Sequence, residues 1–567
     1  MQRSPGRPFD RLTHPPVPHT GQVSVAVSID RDAAPENTPT RPRRRRAATR
    51  VAAAAAGGLL LDAASAPVGW WPAAVLGVAV ATLAVRGCRW RAAYGLGLVT
   101  AAAYLVPLLA WVRVIGDDAW LALAATQVPL VAIAAPASAV AQRFRRWPAT
   151  AAGCGCAWVL SEAIRGREPF GGFPWGRLAF SQASSPLRDA VVVAGVPAVT
   201  FLVALVGGLL TCGAVAVARA WGRRGEAGPR TALAGAVVVP LVAAAIVVGG
   251  VPLLPTPGPS GRDVTVAAVQ GNVPRLGLDA FSQREAVLRN HVRETQQLAA
   301  AIAAGRRPQP DIVVWPENAS DLDPFANPEA GTELSAAAAT IGRDILVGAV
   351  VTGPRPGTLR NQGLLWGPDG YRGQSYTKQH LVPFGEYLPF RPLLTRLVGR
   401  FRTYLPDDFV PGTTSRSIDM GPVRVADVIC YEVAYDGVVR DSVRQGGQVI
   451  VVQTNNATYG RTMSEQQLQM GRLRAIEHGM PVIVVATSGI SAIIGPDGTV
   501  HQQTQVFTAA SLVATVRAAA PGHRTLADRV GAWPELVAVV MGAALTLLPA
   551  GRRFARLAGR AQRRTAR

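Results

Sequence analysis

Lysine is almost absent. Lys378 is the single lysine among 58 lysine and arginine residues in a chain of 567. Charge of either sign is sparse, at 17% of residues against roughly 25% in an ordinary soluble domain. Mean hydropathy is +0.20. A chain disordered throughout needs low hydrophobicity and abundant charge, so that class is excluded. A purely soluble enzyme fits little better. Cysteine is scarce too. Cys88, Cys154, Cys156 and Cys212 lie in the apolar region and Cys430 stands alone in the globular one, so no disulfide framework is expected. Cys154 and Cys156 are too close for a usual zinc pair and read as small helix residues. No metal or nucleotide motif stands out, and neither cofactor is expected.

A net charge of +22 would suit a nucleic-acid partner, but its distribution argues otherwise. Arginines cluster between apolar runs and at both ends, the pattern of a polytopic membrane protein. A crossing helix needs about 20 apolar residues. Eight spans are predicted, at 49–66, 68–85, 92–112, 119–141, 149–165, 189–218, 231–252 and 531–550. With both termini cytoplasmic, the arginine clusters at 41–50, 86–91, 143–146, 219–230 and 552–567 all fall on the cytoplasmic side of a cell membrane. The domain reading follows. A disordered Arg/Pro-rich tail (1–48) precedes a seven-span transmembrane domain (49–253). An extracytoplasmic globular domain (262–518), an eighth helix (531–550) and a basic tail (551–567) complete the chain. Loop 166–188 breaks the charge rule with Arg167, Arg177 and Arg188, which points to a separate role.

The stretch between spans seven and eight reads as α/β. Residues 263–269 alternate like a strand, 311–317 is an apolar run ending in Glu317, and 344–351 is a further strand. Hairpins with Pro-Asp-Gly turns are predicted at 363–378 and 491–500. Strands at 423–432 and 448–456 end in Cys430 and in Asn455 and Asn456. Helices are predicted at 281–304 and 464–479, the second opened by Ser464 and Gln467 at capping-box spacing. Sites in α/β folds assemble at the carboxyl ends of strands, which would bring Glu317, Lys378 and Cys430 together. A thiol needs a base to become a nucleophile, the role open to Glu317. An oxyanion needs a fixed donor, the role open to Lys378 with the Tyr431 N–H. A lysine kept in a chain that otherwise uses arginine calls for a chemical reason. A guanidinium is neither compact nor able to release a proton. No Cys–His pairing is evident, and His380, His478 and His501 read as structural.

Five segments resemble, in order, the nitrilase superfamily in its membrane-bound form, the apolipoprotein N-acyltransferases. They are W-P-E-N (315–318), Y-T-K-Q-H-L-V-P-F-G-E-Y-L-P (376–389), I-C-Y-E (429–432), T-N-N-A-T-Y-G (454–460) and Q-M-G-R-L-R-A-I-E-H-G-M-P (469–481). F-P-W-G-R-L-A-F-S-Q (173–182) is similar to that family's extracytoplasmic loop. The resemblance implies a multi-span helical membrane domain beside an α/β nitrilase-like αββα sandwich. It implies Glu317 as general base, Lys378 as oxyanion stabiliser and Cys430 as nucleophile. Glu386 and Glu432 match further acidic positions, and Asn361, Tyr431 and Trp315 match positions near the pocket. Asn455 and Asn456 are expected to support it, although T-N-N-A-T-Y-G departs from the N-D-A-W-F-G of many members at Asn456 and Tyr459. The implied reaction moves an acyl chain from a membrane phospholipid, through a cysteine thioester, to the α-amine of a diacylated apolipoprotein.

Two other readings stand beside it. One is a membrane-anchored amidase that lets water resolve the thioester. The other is a non-enzymatic membrane scaffold or transporter carrying a dead nitrilase-like domain. Two local expectations remain. In 390–405, Leu393, Leu394, Leu397, Val398, Phe401 and Leu405 share one helical face, with Arg396, Arg400 and Arg402 elsewhere. This predicts either a basic amphipathic lid that dips into the lipid interface or a surface helix packed on the domain. Glu162, at the end of the fifth span, faces either a polar cavity or the interface.

Overall fold

The computed structural model describes residues 41–144, 146–222, 230–256, 258, 260–273 and 283–547. A helix lies in each of the eight apolar ranges. The first seven ranges hold α1 (Arg41–Ala64), α2 (Pro72–Ala84), α3 (Trp90–Leu108), α4 (Asp117–Val131) with α5 (Ala134–Ala141), α6 (Trp147–Arg165), α7 (Val191–Gly222) and α8 (Arg230–Gly250). Helix α1 takes in residues the sequence reading gave to the tail. Among the described residues, four stretches are long and apolar enough to cross a membrane: Arg44–Ala64, Trp90–Leu108, Asp117–Ala141 and Arg188–Trp221. Helix α7 is broken at Ala194 and Gly195, where φ of +71° suits glycine alone. A Cβ on Gly195 would meet Glu477 Oε1 at 2.8 Å, so the break also admits a carboxylate from the globular half. Pro197 follows in the restarted first turn, where its missing N–H is harmless.

The globular half begins with β1 (Asp263–Gln270), α9 (Arg284–Ala303), β2 (Ile312–Val314), α10 (Pro328–Ile341), β3 (Ile345–Thr352), β4 (Thr358–Gly367) and β5 (Gly370–Thr377). After α11 (Arg391–Leu397) and α12 (Arg400–Tyr404) come β6 (Asp408–Phe409), β7 (Ser417–Asp419), β8 (Arg424–Ile429), α13 (Asp436–Arg444) and β9 (Val449–Thr454). The domain ends with α14 (Arg461–His478), β10 (Val482–Ala486), β11 (Ala492–Ile494), β12 (Val500–Gln503), β13 (Ala510–Arg517) and α15 (Leu526–Val530). Helix α16 (Trp533–Leu547) follows at once.

Two sheets form. One runs β13-β1-β2-β3-β4-β5 with β6 on β4, and the other runs β12-β11-β10-β9-β8-β7. Period-two alternation decides what each strand residue meets. Val425, Ile429, Val449 and Val451 face Val264, Val266, Ile312 and Leu346 in a core between the sheets. The outer face of the first sheet packs on α9 and α10. The outer face of the second, through Ala426, Val428, Ile450 and Val452, joins α13 and α14 in a core continuous with the apolar helices. The result is an αββα sandwich whose second helical layer rests on α7.

Two local expectations are corrected. Helix α14 starts at Arg461 behind Gly460, so Ser464 and Gln467 are interior and form no capping box. The lid of 390–405 is not one helix. Val398 has extended backbone (φ −130°, ψ 92°) and splits it into α11 and α12, which leaves Phe390, Leu393 and Leu397 at 68%, 57% and 70% exposure. Phe401 instead turns toward Phe384, with ring centres 6.4 Å apart.

Candidate active site

Glu317 follows β2 and is buried. Its Oε1 accepts from Lys378 Nζ at 2.9 Å and Asn361 Nδ2 at 2.7 Å, and its Oε2 accepts from the Asn455 N–H at 2.7 Å. The three donors come from the end of β5, the middle of β4 and the end of β9. Glu386 completes the cluster. Its Oε1 accepts from Lys378 Nζ and Asn361 Nδ2, both at 2.9 Å, and its Oε2 from the Val382 N–H at 2.7 Å. Lys378 is 1% exposed. Burial alone would push its pKa down, but the Glu317 and Glu386 carboxylates outweigh burial and hold it well above the usual lysine value. An ammonium has three N–H donors, and the two carboxylates take two of them.

Cys430 follows β8 at φ +53°, a left-handed conformation that side chains other than glycine adopt at a cost of roughly 1 kcal/mol or more. A single 3-10 turn, Cys430–Ala434, starts there. The turn takes the thiol out of the strand's alternation. It also leaves the Tyr431 N–H among the first donors of a helix, which have no intrahelical acceptor. The thiol is buried, with Thr454 Oγ1 at 3.2 Å and Gln467 Nε2 at 3.8 Å donating to Sγ. Burial, then the Glu317 charge, push it up to about 12, against the opposing pull of Lys378 and the Thr454 hydroxyl. The resting group is therefore a thiol, which would need a proton acceptor to serve as a nucleophile.

The other anticipated residues take different stations. Glu432 lies behind Cys430. It accepts from the Ile429, Gln379 and His380 N–H groups at 2.9, 2.6 and 3.0 Å and from the Tyr376 hydroxyl at 2.9 Å. It thus ties the strand end that carries Lys378 to the turn that carries Cys430. Burial pushes its pKa up to about 7, with those N–H donors opposing. Trp315 turns into the outer core, where its Nε1 donates to Thr295 Oγ1 at 3.0 Å. Asn455 serves through its backbone, while its Oδ1 accepts from Thr487 Oγ1 at 3.1 Å. Asn456 Nδ2 points to Gln467 Oε1 at 3.3 Å and Met463 Sδ at 3.1 Å, steadying the side chain beside Sγ. The sequence reading did not place Thr454 or Gln467 at the site, and it gave Gln467 to a capping box instead. Their only signal was a place inside the quoted T-N-N-A-T-Y-G segment and on the following helix.

Tyr431 points at loop 166–188. Its hydroxyl donates to Gly172 O at 2.9 Å, and Phe173 stacks on its ring with centroids 5.8 Å apart. Trp175 Nε1 donates to Gln466 Oε1 of α14 at 2.6 Å. The loop is thereby clamped to the nucleophile turn. Glu162 meets the polar-cavity expectation. It accepts from Arg177 Nε at 3.2 Å, the Leu178 N–H at 2.7 Å and Thr200 Oγ1 at 2.7 Å, beside a cavity of about 380 Å³. A second, more open groove of about 520 Å³ runs past Phe170, His380, Tyr387 and Arg391. It flanks the loop between Lys378 and Glu386.

A Glu–Lys–Cys cluster at the strand ends of an αββα sandwich defines an enzyme of the nitrilase, or carbon–nitrogen hydrolase, superfamily. Comparison with known proteins agrees. The carbon-nitrogen hydrolase family matches residues 265–520, and the apolipoprotein N-acyltransferase N-terminal domain matches residues 57–209. The chain is 38% identical over 495 residues to the apolipoprotein N-acyltransferase of Mycolicibacterium smegmatis, covering 85% of this chain and 82% of that one. It is 30% identical over 480 residues to that of Ralstonia nicotianae, covering 80% and 85%. Among solved structures, an amidase from Nesterenkonia sp. is similar at 20% identity and a TM-score of 0.34, over 48% of this chain and 95% of that one. The chain belongs to the apolipoprotein N-acyltransferase family.

Proposed function

We propose that the protein N-acylates apolipoproteins at a membrane, with a phospholipid as acyl donor and Cys430 as the carrier. The carrying observation is the buried cluster in which Glu317 and Glu386 share the Lys378 ammonium near a Cys430 thiol that burial keeps protonated. In the first half-reaction Glu317 takes the thiol proton as sulfur attacks the donor's ester carbonyl. Lys378 and the Tyr431 N–H stabilise the oxyanion. Collapse of the tetrahedral intermediate breaks the ester C–O bond, and the departing alkoxide recovers the proton from Glu317 as a lysophospholipid. In the second half-reaction the α-amine of a diacylglyceryl-cysteine attacks the thioester. Glu317 takes the amine proton, and the sulfur leaves and is reprotonated. Both substrates carry acyl chains, which suits a site attached to apolar helices at both ends of its domain. The arginine distribution supports an extracytoplasmic catalytic domain with both termini in the cytoplasm.

The test is to trap the intermediate. Purified protein in detergent is incubated with an acyl-labelled phospholipid and no acceptor, and intact mass is read before and after hydroxylamine. The expected result is a hydroxylamine-labile acyl group, absent in Cys430→Ser and discharged by a diacylated lipopeptide. Label that persists in Cys430→Ser, or an acyl group that water clears as fast as the lipopeptide does, overturns the reading.

A further inference from the structure

Asp427 lies on β8, three residues before the nucleophile, on the inward face with Val425 and Ile429. It is fully buried, and neither carboxyl oxygen has a geometrically sound hydrogen-bond partner among the described residues. Gln453 on β9 is equally buried and faces the same inter-sheet space. Its Nε2 donates to Trp315 O at 2.6 Å, with Leu346 O at 3.5 Å. That sets the orientation of the amide, because a flipped one would aim its oxygen at two carbonyl oxygens. Gln453 Oε1 is then left without a donor. The two orphaned groups crowd one point against β4. A Cβ on Gly363 would meet Asp427 Oδ2 at 2.1 Å and Gln453 Oε1 at 2.7 Å. Two buried acceptors that converge on one point and lack a donor call for a proton between them.

We infer that Asp427 is held as a neutral carboxylic acid that donates to Gln453 Oε1, forming with the Trp315 carbonyl a bridge between the two sheets that positions Glu317 relative to Cys430. The inference rests on the preceding assignment of Glu317 and Cys430 as base and nucleophile. The sequence around each member gives the bridge its leverage. Trp315 stands two residues before Glu317. Gln453 stands directly before Thr454, which bonds Sγ, and Asn455, whose N–H bonds Glu317 Oε2. Glycine at 363 is what makes room. The charged groups around Asp427 agree: burial, then the Glu432 and Glu317 carboxylates, hold it well above the usual carboxylate range against the opposing pull of the Val428 N–H, with the Tyr376 hydroxyl also nearby. Asp427 touches no reacting atom and is a positioning residue.

Three measurements on the full chain in detergent test this. Infrared difference spectra between wild type and Asp427→Asn should contain the C=O band of a protonated carboxyl at neutral pH. Its replacement by carboxylate bands overturns the proposal, whatever reaction the enzyme catalyses. Acylation of Cys430 is then followed in single turnover. Asp427→Asn keeps an N–H donor toward Gln453 and should stay within about threefold of wild type. Asp427→Leu leaves Gln453 Oε1 unpaired and should slow acylation about tenfold or more at saturating lipid. Equal activity of all three, or equal damage in both variants, overturns the positioning role. Finally, the native state keeps a proton that the unfolded chain releases above the ordinary carboxylate range. Wild type should therefore lose thermal stability relative to Asp427→Asn as pH rises from about 5 to about 8. A constant difference overturns the protonation assignment. A C=O band in a protein that transfers no acyl group would leave the bridge standing and reject only the acyl-transfer reading.

Discussion

At the scale of single residues, the chemistry turns on groups for which no substitute has the right shape. Lys378 is the sharpest case. Its ammonium reaches two carboxylates at 2.9 Å in a site where it is 1% exposed. A planar guanidinium needs more room and spreads its donors in a fork. Lys378→Arg should therefore reduce the rate of thioester formation by about 100-fold or more, in line with loss of an oxyanion donor. The labelled-phospholipid assay reads this directly, and a variant that acylates at the wild-type rate would remove Lys378 from the oxyanion site. The lysine was legible in the sequence because the rest of the chain avoids lysine. Glu432 and Tyr431 were legible as positions but not as stations. Their side chains leave the turn in different directions, Glu432 toward the N–H groups after β5 and Tyr431 toward Gly172.

At the scale of elements, the lid shows where periodicity misleads. A helical wheel of 390–405 gathers leucines onto one face, yet Val398 breaks the helix, and the first short piece presents Leu393 and Leu397 outward beside Phe390 while Phe401 of the second turns toward Phe384. Phe390, Leu393 and Leu397 are joined by Phe384 at 42% and Phe170 at 40%, the latter stacked edge-on to both Phe384 and Phe390. Exposed aromatic and leucine side chains grouped in this way suit a lipid interface better than water. Phe390→Asp with Leu397→Asp should raise the lipid concentration needed for half-maximal acylation several-fold. It should leave the rate at saturating lipid within about twofold, because neither residue contacts the catalytic cluster. A titration against phospholipid in mixed micelles checks this, and an unshifted midpoint contradicts a lipid-facing lid.

At the scale of the whole molecule, the globular and apolar halves are joined by buried charge as well as by a continuous core. Arg177 pairs with Glu162 at 3.2 Å and Asp436 at 2.8 Å, and Arg474 joins Asp436 at 2.7 Å to Glu477 at 2.5 Å. Glu477 in turn lies against the break in α7 at Gly195. Removing one member of such a network strands its partners away from water. Arg177→Ala should destabilise the protein by about 3 kcal/mol, seen as an earlier thermal transition in detergent and faster proteolysis of loop 166–188. An unchanged melting temperature would mean the halves are held by apolar packing alone. The arginines of that loop broke the charge rule in the sequence, and this network gives at least Arg177 its purpose.

Residue order alone determined the alternation of apolar spans and strands, the two Pro-Asp-Gly turns, and the strand ends from which Glu317, Lys378 and Cys430 project. Those properties are local, set by periodicity and by Gly, Pro and Asp signals within a few residues. Only the tertiary structure decided which neighbour each strand meets. That choice sent Trp315 outward to Thr295 and brought Thr454 and Gln467 to the thiol. It also set Asp427 against Gln453 across the space left by Gly363. The state of a buried carboxyl depends on what lies opposite it, and what lies opposite comes from other strands, β9 through Gln453 and β4 through Gly363.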